Sequence, residues 1–72
     1  MNIYVETYSG YKADEYPIRF TLSNKSFDII SIEDRWYSPE KAYFKIFSDD
    51  GNTYILSHSF ETDKWEINLV KE

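Results

Sequence analysis

The chain has 72 residues, 13 acidic side chains against 8 basic ones, a net charge of −5 and no cysteine. That length supports one small domain, and the lack of thiols excludes disulfides, thiolate nucleophiles and iron–sulfur ligation. The basic residues are scattered singly along the chain, which argues against the concentrated positive charge that nucleic-acid or anionic-membrane binding requires.

Seven Tyr, five Phe and two Trp stand beside only two Gly and two Pro. This composition folds rather than disorders, and it favours strands. Short alternating runs separated by turn residues, with no stretch of helical period, predict an antiparallel all-β domain. The first predicted strand, 2–8, sets Ile3, Val5 and Thr7 against Tyr4, Glu6 and Tyr8. A loop around Gly10 follows. The second strand puts Tyr16, Ile18, Phe20 and Leu22 on one face and Pro17, Arg19, Thr21 and Ser23 on the other. Pro17, with no amide hydrogen, suits a strand start or an edge. S-N-K-S then makes a turn.

The third strand, 27–37, is long enough to require a bend or a bulge. Strict alternation aligns Ile30, Ile32, Asp34 and Trp36, and a carboxylate in that row should not be buried unpaired. Three explanations compete. A bulge near 33–35 expels Asp34, a rim position lets it accept backbone N–H groups, or it is a functional acid. S-P-E-K turns the chain into a fourth strand, 42–48. Asp50-Gly51 is the strongest hairpin signal, and as a two-residue loop it pairs Phe47 with Tyr54, Ile46 with Ile55 and Lys45 with Leu56. The fifth strand is 53–59, E-T-D-K turns again, and 64–70 forms a sixth with Trp65, Ile67 and Leu69 on one face. Such a meander must curl to hide its edges. The expected architecture is a single domain over 1–72, a strongly bent antiparallel meander of five or six strands, with an SH3-like barrel as its closed form.

Chemical signatures are sparse. His58 is the sole histidine, so no zinc set forms around it, and neither C-x-x-C nor H-E-x-x-H occurs. A Ser-His-Asp triad can be written from Ser57 or Ser59, His58 and Asp63, but no nucleophile elbow supports it. S-D-D-G-N-T lacks the spacing of a calcium loop. Phosphate-binding and dinucleotide fingerprints need glycines this chain lacks. No catalytic constellation, cofactor or metal is expected. The M-N-I-Y-V-E start has neither a basic region nor a long apolar run, and no segment approaches membrane-spanning length, so the expected location is cytoplasmic.

P-x-R-F at 17–20, I-x-D-R-W-Y at 32–37, Y-F-K-I-x-x-D-D-G-N-x-Y-x-L at 43–56 and W-E-I-x-L at 65–69 together cover most of the chain. In these elements it resembles a group of small uncharacterised bacterial proteins. The resemblance implies a bacterial cytoplasmic origin and a compact β fold. It implies no activity, ligand or catalytic residue.

The functional clue lies in the fourth and fifth strands, which carry apolar groups on both faces when only one can be core. Either the domain's own loops cover the surplus, or it is an interaction surface made of Tyr43, Phe47 and Tyr54, with Arg35 and Trp36 near its rim. The expected role is a small non-enzymatic protein-interaction module with a protein partner or a second copy of itself. Two alternatives differ in class. One is a single-stranded nucleic-acid barrel stacking bases on Tyr4, Tyr8, Tyr43 and Tyr54. The other is a small-molecule or enzymatic site where Arg35, Asp34 and His58 converge.

Overall fold

A computed structural model describes residues 3–9 and 15–70. They form six strands: β1 (Ile3–Ser9), β2 (Glu15–Leu22), β3 (Lys25–Tyr37), β4 (Lys41–Ser48), β5 (Thr53–Ser59) and β6 (Trp65–Leu69). Each strand pairs antiparallel with its sequence neighbours, so the spatial order is the chain order. The sheet curls into a half-barrel that brings β1 and β6 into contact across a seam. Among the described residues no ladder joins those two strands. The loop expected around Gly10 lies outside the described residues. No helix among them is long and apolar enough to cross a membrane.

The concave face is the core. Val5, Phe20, Ala42, Phe44, Ile46, Tyr54 and Leu56 are buried there, with Ile3, Leu22, Phe27, Ile29, Ile32, Trp65 and Ile67 packed around them. The strand β4 shows the pattern most cleanly. Ala42, Phe44, Ile46 and Ser48 are buried, and Lys41, Tyr43, Lys45 and Phe47 between them are half-buried. The cause is its place between β3 and β5, which hold it along its length.

Turn chemistry sets the registers. Ser23 and Asn24 both take positive φ, 49° and 66°, which suits a two-residue turn matched to strand twist. The β4–β5 connection corrects the expected register. The Gly51 N–H donates to the Ser48 carbonyl at 3.1 Å, and the Ser48 N–H donates to the Asn52 carbonyl at 3.0 Å. With Gly51 at φ 85°, this is a three-residue loop closed by a glycine bulge. The extra residue slides the pairing by one place. Phe47 lies opposite Thr53, Ile46 opposite Tyr54, Lys45 opposite Ile55 and Phe44 opposite Leu56.

Bulges account for the remaining departures from strict alternation. The β1–β2 register jumps from Glu6–Arg19 to Thr7–Pro17, leaving out Ile18. Pro17 is therefore buried and Ile18 exposed, the reverse of the expected faces. In β3 the register omits Ile30 and then Glu33. The second omission carries Asp34 to the outer face opposite Lys45, where its Oδ1 accepts the Arg35 N–H at 2.8 Å. Of the three explanations for Asp34, the bulge is the one the fold adopts.

Candidate interaction surfaces

The same bulge sorts the predicted surface residues. Trp36 moves to the convex face opposite Tyr43, and the two rings stack with centroids 5.4 Å apart and planes 9° apart. Phe47 and Ile55 share that face, because their neighbours Ile46 and Tyr54 point into the core. Arg35 is turned to the concave side opposite Phe44. Its guanidinium carbon lies 5.8 Å from the Phe44 ring centroid, a cation–π distance. Tyr54 does not belong to the surface. It is 9% exposed and edge-on to Phe20 at 5.3 Å, because the glycine bulge shifted it into register with Ile46.

The Tyr54 hydroxyl ends on the β4–β5 hairpin, where it donates to Asp50 Oδ2 at 2.7 Å. Asp50 also accepts from the Asn52 side chain at 3.1 Å, the Asn52 backbone N–H at 3.2 Å and the Ser48 hydroxyl. Burial pushes the Asp50 carboxyl up, but the hydrogen bonds from Ser48, Tyr54 and Asn52 outweigh it and hold it at about 2, against an ordinary 3.8. Burial and the bond to Asp50 in turn push the Tyr54 phenol up. Both oxygens of this carboxylate are thus committed inside the turn. They lock the register rather than offering a ligand site.

A second aromatic group lies at the seam. The His58 ring stacks on Trp65 at 4.6 Å, and its Nε2 is 2.6 Å from Asp63 Oδ1. With Ile3, Val5, Thr7 and Lys64 these residues line a groove of about 480 Å³ between β1 and β6. The histidine–aspartate pair supplies two of the three members of the triad written from sequence, but the serines are missing from it. Ser57 and Ser59 pair with Tyr43 and Lys41 on the convex side, whereas His58 pairs with the buried Ala42. Strand alternation therefore separates nucleophile from base.

Arg35, Asp34 and His58 do not converge either. Asp34 is on the convex face, Arg35 lines an opening beside β2, and His58 lines the seam groove. Nor do the tyrosines form one platform. Tyr4 and Tyr8 lie on β1, Tyr43 lies on β4, and Tyr54 is in the core.

One surface was not anticipated. The β2–β3 ladder runs from Leu22–Lys25 to Arg19–Asp28 and stops there. Beyond it the strands diverge around a notch of about 280 Å³ lined by Tyr16, Pro17, Ile18, Ile29, Ile30, Ser31, Ile32 and Arg35. The bulged residues of both strands meet here. Ile18 is 40% exposed and Ile30 61%, although aliphatic side chains of this size each favour burial by about 1.5–3 kcal/mol. The signal in the sequence was I-I-S-I, which carries more isoleucine than one face of a strand can bury. At the mouth of the splay, on the outer face, Arg19 bridges the three strands, with Asp28 at 2.6 Å and Glu6 at 3.1 Å. Those bonds push its guanidinium pKa up.

Compared with family models, curated proteins and solved structures, the chain matches none.

Proposed function

We propose that this chain is a non-enzymatic, cytoplasmic β module that acts by protein contact, and that its partner is a second copy meeting it across the convex face of β3–β5. One observation carries the reading. The near-parallel stack of Trp36 on Tyr43 stands on the face opposite the core, beside Phe47 and Ile55. Aromatic side chains of this kind anchor interfaces.

Charge favours a second copy as the occupant. The chain as a whole is acidic, at −5, and most approaches of two copies are repulsive. The convex face is mixed. Lys45 lies opposite Asp34, and Lys41 is 3.9 Å from Glu66. A two-fold axis through such a face can set each lysine against a partner's carboxylate.

Sedimentation of the wild type beside Phe47→Ser tests the reading. The expected result is a concentration-dependent dimer for the wild type and a folded monomer for the variant. A monomeric mass for both at every concentration would overturn it.

A further inference from the structure

We infer that the notch between β2 and β3 is a second binding site, for the end of a peptide that carries a free terminal carboxylate next to an aliphatic side chain. Three independent features of the fold converge on that chemistry.

The first is apolar. Ile18 and Ile30 are extruded by separate bulges, one in each strand, and both line the same opening. With Ile29 and Ile32 they surround about 280 Å³, room for one large side chain but small for an extended ligand.

The second is charge. Among the described residues Arg35 has no carboxylate partner, although Arg19, Lys41 and His58 each have one. Lys25, Lys45 and Lys64 have no such partner either, so what distinguishes Arg35 is its place. Arg35 lines the notch and is held over the Phe44 ring. A guanidinium presents paired N–H donors suited to a carboxylate, and such bonds strengthen where apolar groups exclude water.

The third is backbone. Where the β2–β3 ladder ends, β3 continues, among the described residues, paired to β4 on one side only. Its other edge faces the notch, with donors and acceptors that an extended segment can pair with. Pro17, with no amide hydrogen, makes the β2 edge the poorer template. A peptide end uses all three features, whereas a small free acid uses only the first two. The notch shares no lining residue with the Trp36–Tyr43–Phe47 group, although Ser31 lies opposite Phe47, and peptide binding there does not depend on self-association.

The test is titration of the isotope-labelled full chain, followed by amide NMR, with three probes. These are an acetylated pentapeptide ending in leucine with a free carboxylate, the same peptide amidated at its end, and 4-methylpentanoate. Saturable shifts at residues 16, 18 and 29–35 are expected for the free-carboxylate peptide. Amidation or Arg35→Gln should weaken binding about tenfold or more, with the remaining amide spectrum unchanged. Ile30→Glu alters an exposed position and so should keep the fold while losing the peptide. Phe47→Ser should bind as the wild type does. The inference is overturned by equal binding of the acid and amide peptides, by binding of 4-methylpentanoate without the peptide, or by no saturable binding up to ~5 mM, where millimolar affinities become visible.

Discussion

Strand β4 alternates without a fault from Lys41 to Ser48, while its neighbour β3 drops a residue from the alternation twice. The two strands share a ladder. What differs is their other neighbour. On its far side β4 is held throughout by β5, and the hairpin between them is pinned by Asp50. By contrast, β3 has β2 beside it for only four pairs and, among the described residues, is then unpaired on that side. A strand held on both edges has its register fixed by its partners. A strand held on one edge can absorb an extra residue as a bulge and use the bend to curl the sheet. Order and departure from order therefore sit on adjacent strands, and the departures mark the edge that carries the proposed peptide site.

Isoleucines on the two strands give the sharpest test of this contrast. Ile46→Ala removes a fully buried side chain of β4 and should cost about 2–5 kcal/mol in urea unfolding. Ile30→Ala, on the bulge of β3, should stay within ~0.5 kcal/mol. Comparable losses at the two sites would break the comparison.

Asp50→Ala should follow in size, at about 1–3 kcal/mol, because it leaves the buried end of Tyr54 without its acceptor. The pH dependence has a fixed sign. A carboxyl held at about 2 rather than 3.8 stabilises the fold in its ionised form. Its contribution is fully present above 3.8 and is lost as the pH falls through about 2. Thermal unfolding should show an acid limb in the wild type that is smaller in Asp50→Ala.

Gly51→Ala probes the same hairpin through its backbone alone. No atom lies within 4 Å of a Cβ placed there, but φ is +85°. The expected loss of about 1–2 kcal/mol is therefore conformational, not steric. The smallest effect belongs to the less ordered side. Arg19→Gln breaks the bridge from β1 to β3, and its small fall in melting temperature should shrink as salt is raised, since the pair is exposed. A salt-independent loss would mean that the bridge, not the hairpin side, sets the sheet's order.

The all-β class, the six strands and most of their bounds were legible in the sequence, because alternation and turn residues report local backbone preference. Register was not. A side-chain pattern cannot show whether Asp50-Gly51 closes a two-residue or a three-residue loop, and that one residue decided whether Tyr54 joined Phe47 outside or Ile46 inside. Asp34 did announce a fault in β3, since a carboxylate in an apolar row demands an exit. The bulge at Ile18 gave no such warning, because an isoleucine reads as core wherever it stands, and at Ile30 the one sign was the surplus of isoleucine in I-I-S-I. Of the residues assigned to a surface from sequence, Trp36, Tyr43 and Phe47 share the convex face, whereas Tyr54 is buried. The grouping of Arg35 with the isoleucines of the notch required knowing where one ladder ends.

The strand order has a kinetic meaning as well. Each ladder joins segments that follow one another in the chain, and the turn between β2 and β3 is only Ser23–Asn24. Among the described residues no pairing waits for a distant segment to diffuse into place, and β1 and β6 come into contact without a ladder. Hairpins of this kind form in about 1–10 μs, and folding slows as pairings become less local. Folding here can proceed as successive additions, each strand templating the one that emerges after it. Refolding should then fall at the fast end of the range for all-β domains.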